Sequence, residues 1–252
     1  MRRTPEPRII AAMPDPLSPF RNSLLPVGVR SLAPHANLVT CVLAGRGGAL
    51  RLDQDGVCVE GEILLVRPGT VHAVTLPERG ADVLYLSGLA FPFETPLAQP
   101  LTGGFGNLAQ DALDGGHDAI DALRARLAAR APVPSAIMAA VEAIYADPMR
   151  RMPQTELAQR LGLERTQALR CFKAATGQVF REFKLWSALQ HAAEQMRDGA
   201  LVRTAAMDAG FADTAHLSRA FRRLFGLTPS AAIAGLDLTP PAERALRTAT
   251  LM

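Results

Sequence analysis

The feature that most constrains this chain is a motif that occurs twice near its C-terminal end. The first copy reads Glu156-Leu157-Ala158-Gln159-Arg160-Leu161-Gly162, followed by Arg170-Cys171-Phe172-Lys173 and Gly177. The second reads Thr204-Ala205-Ala206-Met207-Asp208-Ala209-Gly210, followed by Arg219-Ala220-Phe221-Arg222 and Gly226. In each copy a short helical pattern stops at glycine, which ends a helix in the left-handed conformation without a Cβ penalty. A second helical pattern follows, with basic residues along one side. Helix, tight turn and helix is the arrangement that sets a helix into the DNA major groove. Two copies make sequence-specific binding of double-stranded DNA the leading reading.

Charge is distributed to match. Residues 133–236 hold 13 Lys and Arg against 9 Asp and Glu, whereas residues 1–132 hold 12 against 13. Only the C-terminal half has an electrostatic reason to approach a polyanion. The 252 residues allow one large domain or two ordinary ones, and 48% hydrophobic content fits globular folding. Cys41, Cys58 and Cys171 are scattered and form no CxxC or Cys/His cluster, so neither a disulfide framework nor a structural zinc site is expected. The basic N-terminus has no apolar run of signal-peptide length behind it, and no stretch approaches the roughly 20 apolar residues of a membrane span. The expected compartment is the cytoplasm, with no membrane partner.

The organisation along the chain is α+β with two domains. Residues 1–26 are proline-rich and read as an arm. From 27 to 93, short apolar runs such as Leu38–Leu43, Ile63–Val66 and Val83–Leu86 alternate with turns at Asp55-Gly56, Pro68-Gly69 and Gly80, the texture of a barrel or sandwich. Residues 94–132 read as a glycine-rich loose connection followed by a helix over 117–131. That helix places Ile120, Leu123 and Leu127 on one face, with Asp118, Asp121, Arg124, Arg126 and Arg130 outside the stripe. Pro132 and Pro134 separate the halves. The region 133–236 reads as all helix, with helices over 135–147, 154–162, 165–176, 179–198, 202–209 and 213–225, and 237–252 forms a tail.

The two reading helices repeat one design. In 213–225, Leu217, Ala220, Phe221, Leu224 and Phe225 form a buried stripe. Ala215, Ser218, Arg219 and Arg222 face away from it, flanked by Thr214, His216 and Arg223. In 165–176, Ala168, Cys171, Phe172 and Ala175 look inward, whereas Thr166, Leu169, Arg170 and Lys173 look outward beside Arg165 and Gln167. Arg170 and Arg219 hold matching positions. A bidentate arginine on guanine is the commonest specific contact, so these two are the first candidates for base reading. Thr166, Gln167, Thr214 and His216 are weaker candidates, and Leu169 can touch a thymine methyl. Lys173, Arg222 and Arg223 suit phosphates. The connecting helix 179–198 spans roughly 30 Å at about 1.5 Å per residue, close to the about 34 Å between successive major-groove faces. The alternative for every one of these residues is an ordinary solvated helix face. For Cys171 the alternatives are a redox switch and a small buried apolar residue.

Residues 135–236 resemble the DNA-binding domain of the AraC/XylS family of bacterial transcription regulators. The resemblance rests on Leu161-Gly162-Leu163, Arg170-Cys171-Phe172-Lys173, Phe180-Arg181-Glu182-Phe183, Ala209-Gly210-Phe211, His216-Leu217-Ser218-Arg219-Ala220-Phe221-Arg222-Arg223 and Phe225-Gly226-Leu227-Thr228-Pro229. It implies two helix-turn-helix units joined by a long helix, binding to DNA half-sites, and control of initiation through RNA polymerase. Two departures stand out. Ala168 replaces a larger apolar residue, and Ala212 replaces a common serine cap, leaving Asp213 to cap instead.

Gly61 to His72 resembles the second motif of a cupin barrel, which implies a small β-barrel over 27–93 that receives a small-molecule effector. His72 matches the late histidine of that motif and His35 lies near an early strand, so both are candidates for the effector pocket. The first motif's His-x-His and glutamate are absent. No metal and no cofactor are expected, because three good ligands are the minimum for a catalytic metal site. No nucleophile–histidine–acid set or phosphate-cradling glycine loop appears, so the chain is read as a regulator and not an enzyme. The rival is a metal-dependent cupin enzyme tethered to DNA by its helical domain. A third reading makes the barrel a dimerisation module without a ligand. Helix 117–131 either pairs two copies into a homodimer or packs on its own barrel.

Overall fold

The computed structural model of the chain describes residues 20–89, 97–127 and 133–234. The expected tail and most of the expected arm lie outside the described residues, as do Arg130 and the end of the helix expected over 117–131.

The N-terminal half is built from β1 (Asn22–Val27), β2 (Ser31–His35), β3 (Thr40–Gly45), β4 (Leu50–Gln54), β5 (Val57–Gly61), β6 (Ile63–Val66), β7 (His72–Thr75), β8 (Ala81–Leu86) and β9 (Ala98–Pro100). They form two antiparallel sheets, ordered β1-β8-β3-β6-β9 and β2-β7-β4-β5. Local chemistry sets the hairpins. Between β4 and β5, Asp55 and Gly56 both take positive φ, 47° and 84°, the two-residue turn whose twist suits adjoining strands.

Alternation along the strands explains the continuous apolar runs. In β3, β6 and β8, Cys41, Leu43, Leu64, Val66, Val83 and Tyr85 face the second sheet and the helical half. Their neighbours Val42, Leu65, Leu84 and Leu86 face a separate core. The larger sheet is therefore covered on both faces, so both side-chain sets must be apolar. The outer cover is α1 (Gly103–Leu113) and α2 (His117–Leu127).

Several expectations need correction here. The sheet begins already at Asn22, inside the expected arm, and Phe20 is buried before it. The glycine-rich stretch read as a loose connection contains β9 and α1. Gly106 sits so close to the Leu101 carbonyl that a Cβ would lie 2.9 Å from its oxygen, so tight packing overrides poor helix propensity. Arg124, expected on the solvent side, is buried and donates to Asn22 Oδ1 (2.6 Å) and the Ser87 carbonyl (2.7 Å). With Ile120 and Leu123 also buried, α2 packs on its own sheet domain.

The cupin-like unit is two facing sheets that no ladder joins into a closed cylinder among the described residues. Pro34 lies in β2, where the register against β7 shifts between Leu32 and His35; a proline cannot donate to a ladder. Amides of β2 and of the residue just after it bond the helical half. Ala33 N–H donates to the Gly226 carbonyl (2.9 Å) and Ala36 N–H to the Arg223 carbonyl (3.1 Å).

The C-terminal half comprises α3 (Ser135–Ala146), α4 (Gln154–Leu161), α5 (Arg165–Thr176), α6 (Phe180–Arg197), α7 (Val202–Asp208), α8 (Thr214–Phe225) and α9 (Pro229–Ala234). Trp186 of α6 is the hub of the seam between the halves. Its Nε1–H donates to Ser87 Oγ (2.9 Å), and its ring lies 5.3 Å from Tyr85 and 5.6 Å from Phe225. Gln190, one turn further on, donates to Ser23 Oγ (2.7 Å).

Candidate nucleic-acid interface

Each helix-turn-helix is closed by glycines in the left-handed region. Gly162 (φ 62°) ends α4 and Gly210 (φ 74°) follows α7; the reading helices α5 and α8 end at Gly177 (φ 73°) and Gly226 (φ 71°). The first unit packs on α3 and the start of α6 through Leu157, Ala168, Phe172, Phe180 and Phe183. Phe172 meets Phe180 and Phe183 edge-on at 5.1 and 5.3 Å, geometry that aromatic quadrupoles favour. The second unit buries Leu217, Ala220, Phe221, Leu224 and Phe225, the stripe expected from spacing.

That packing decides what points outward. On α8, Thr214, Ala215, Arg219, Arg222 and Arg223 are exposed, while His216 and Ser218 are half-buried. On α5, Arg165, Thr166, Gln167, Arg170 and Lys173 are exposed. Two residues break the expected phase of α5. Cys171 is exposed, not buried, and Leu169 is half-buried against the core of its own unit. Ala168 and Phe172 are fully buried as expected, and Leu169 adds to the same core. Leu169 is therefore a packing residue more than a base reader.

The outward cations are electrostatically free. Arg165, Arg170, Lys173, Arg219, Arg222 and Arg223 take part in no ion pair among the described residues. By contrast, Arg150 and Arg160 are both held by Glu156 at 2.9 Å. Unpaired guanidinium groups on a projecting helix are what polyanion capture needs. Asp213 supplies the cap that Ala212 cannot, accepting from the His216 N–H at 2.6 Å. The His216 ring stands edge-on to Phe211 at 5.2 Å, which ties it down and weakens it as a base reader.

The two histidines proposed for an effector pocket sit elsewhere. His35 and His72 are directly opposite in the β2–β7 pair, ring centroids 4.4 Å apart and both buried. Each donates Nδ1–H to a backbone carbonyl two residues earlier, of Ala33 (2.8 Å) and Thr70 (2.9 Å). Burial lowers the pKa of His35 to about 4, with the neighbouring His72 adding to it and the Ala33 bond opposing. Burial lowers that of His72 too, against the Thr70 bond. Both are neutral seam residues: a Cβ on Gly226 would lie 2.7 Å from His35 Nδ1. The space between the sheets is filled by Leu50, Leu52, Leu64, Val66, Val74 and Val83, each 1% exposed or less. No group of three metal-ligating side chains occurs among the described residues, and no described helix is long and apolar enough to cross a membrane.

A family of helix-turn-helix domains matches residues 157–234. No curated protein matches the chain in sequence. Among solved structures, ToxT from Vibrio cholerae O395 aligns with a TM-score of 0.55 at 13% identity, covering 86% of this chain and 98% of that one. ToxT from Vibrio cholerae strain SCE256 bound to unsaturated fatty acid aligns at 0.52 and 12%, covering 86% and 95%. ToxT from strain O395 bound to (E)-4-(8-methylnaphthalen-1-yl)but-3-enoic acid aligns at 0.53 and 12%, covering 85% and 98%. The alignments span both halves, so the sheet domain and the helical domain share the arrangement found in ToxT. Residues 157–234 of this chain match a helix-turn-helix domain, carried behind a sheet domain in the two-domain fold seen in ToxT.

Proposed function

We propose that the chain is a sequence-specific transcription regulator of the AraC/XylS type, whose hold on DNA is set by a small-molecule effector and which acts on RNA polymerase. The observation that carries the DNA half is the matched pair Arg170 and Arg219, each exposed and unpaired on the outward face of a reading helix. Lys173, Arg222 and Arg223 hold phosphates beside them. The 18 residues of α6 give a connector of roughly 27 Å, which suits two units on neighbouring turns of one DNA face. Effector control is supported by the fold it shares with ToxT, solved with an unsaturated fatty acid bound, and by the extensive seam between sheet domain and second unit. Our reading puts the effector at that seam and not between the sheets, where Leu50, Leu52, Leu64 and Val66 are buried.

Footprinting of the full chain on the DNA upstream of its own gene tests the reading. Protection over two successive major grooves is expected. Arg219→Ala is expected to lose about 1–3 kcal/mol with relaxed preference at one base pair, and Arg170→Ala the same in the other groove. Equal weakening on every DNA sequence would assign these arginines to phosphates instead.

A further inference from the structure

Beside the reading helices lies a cleft of about 680 Å³ whose walls come from both helix-turn-helix units, from α6 and from the sheet-domain loops at Ala36–Leu38 and Pro68-Gly69. Its polar lining is one-sided. Lys173 enters from α5, Arg223 from α8, Arg181 and Lys184 from α6, and Arg151 from the loop before α4. Glu182 is the single carboxylate against these five cations, and none of the five is in an ion pair among the described residues.

Two of the cations are held there at a cost. Arg151 adopts φ 49°, a left-handed backbone that a long side chain seldom takes and that tends to persist where a local arrangement demands it. Lys184 is half-buried over the Phe180 ring (4.6 Å) and donates to the Met152 carbonyl (2.8 Å). Its pKa is lowered, first by desolvation and then by the nearby Arg151 charge. Like charges gathered in a recess repel until an anion joins them.

We propose that this cleft binds a small molecule with at least two negative charges, a polycarboxylate or a phosphate ester, and that its occupancy competes with DNA. The inference rests on the effector-controlled reading above and names the class of effector and its place. The volume is that of a small-molecule site, and part of the wall is apolar, from Leu38, Leu185, Ala188 and Leu224. Arg151, Arg181 and Lys184 lie off the outward faces of α5 and α8, so they are not accounted for by reading DNA. Lys173 and Arg223 belong to both surfaces. A bound anion would draw them into the cleft and away from phosphates while bridging the two units to the sheet domain.

The test uses the full chain with three probes, citrate, succinate and inorganic phosphate, at ionic strength held constant with sodium chloride. Thermal melting is read first, then binding to the upstream DNA fragment. At least one probe is expected to raise the melting temperature saturably and to weaken DNA binding. Lys184→Met and Arg181→Gln are each expected to weaken the anion by about tenfold, the loss of one charge-assisted contact, and to bind DNA undiminished without it. Which probe acts separates carboxylate from phosphate chemistry. The proposal is overturned if no probe acts beyond the chloride control, or if the response is the same in both variants. DNA binding that persists without any anion response removes this inference alone. A saturable anion response lost in the variants, in a protein that shows no DNA selectivity, removes the regulator reading and leaves the cleft.

Discussion

The two helix-turn-helix units carry the same motif and are held in different ways. The first packs in a core separate from the one between the sheets, where Leu157, Ala168 and Phe172 meet Ile137, Val141, Phe180 and Phe183, joined by Phe20 from the start of the sheet domain. The second shares one continuous core with the sheets: Leu217, Phe221, Leu224 and Phe225 belong with Leu50, Leu52, Val83 and Tyr85. Even the turns differ. A Cβ on Gly162 would meet open space, whereas one on Gly210 would lie 3.0 Å from Met149 Cα. Repetition in sequence therefore does not make two equivalent readers. The first unit packs chiefly on α3 and α6. The second is part of the sheet domain's interior, and any change in that domain reaches it first.

Breaking the seam gives the largest expected effect. Trp186 is 1% exposed and joins Tyr85, Phe225 and Ser87. Trp186→Ala is expected to lower stability by about 3–5 kcal/mol, the usual cost of emptying a large aromatic site. Hydrogen exchange should then accelerate in α8 before α5, because Phe225 of α8 touches Trp186 directly, whereas α5 meets α6 through Phe172 on Phe180 and Phe183. Equal acceleration in both helices would mean that the two units share one cooperative core after all.

This difference marks the boundary of what the sequence makes legible. The helices of the C-terminal half follow from 3.6-residue periodicity and glycine stops, and α5 and α8 fall where spacing puts them. The stripe of α8 is read correctly because Phe221 and Phe225 dominate it. On α5, Ala168 and Phe172 are buried where spacing puts them, but Cys171 and Leu169 exchange roles at the edge of the stripe. Pairing across the chain has no local signature. Nothing in the spacing of Ala33, Ala36, Arg223 and Gly226 announces that a strand edge will close on a helix end. The cleft cations Arg151, Arg181 and Lys184 are likewise scattered over a loop and a connector, and they become a group only in three dimensions. The burial of Arg124 depends on Asn22 and Ser87, which lie far away in the chain.

Acid should sharpen the same contrast. His35 is neutral in the folded chain down to about pH 4, but protonates in the unfolded chain below about 6.5. A base with a depressed folded pKa leaves stability intact above the unfolded value, then removes it as pH falls toward the folded value, below which the loss levels off. His72, shifted in the same direction, adds to the slope. Between pH 8 and pH 5 the His35 contribution is a loss of about 2 kcal/mol. Urea unfolding at the two pH values measures it, and His35→Gln should flatten the dependence. Because His35 abuts Gly226, acid should loosen α8 ahead of α5. A pH slope unchanged in His35→Gln would show that other groups carry it.

The smallest effect compares the starts of the two reading helices. Asp213 accepts from the His216 N–H and satisfies one of the donors that a helix leaves unpaired. Glu164, at the matching position of α5, makes no side-chain cap. Asp213→Ala is expected to cost about 1 kcal/mol in urea unfolding, and Glu164→Ala only a few tenths at most. In the second unit the capped turn holds Thr214, Ala215 and His216 at the N-terminal end of α8, so on the proposed reading the same substitution should also weaken DNA binding through fraying. In the first unit that turn already stands without a cap, and its rigidity comes from Ala168 and Phe172 below. Equal losses from the two substitutions would show that the starts of the helices are held alike, and the contrast between the units would then rest on the seam alone.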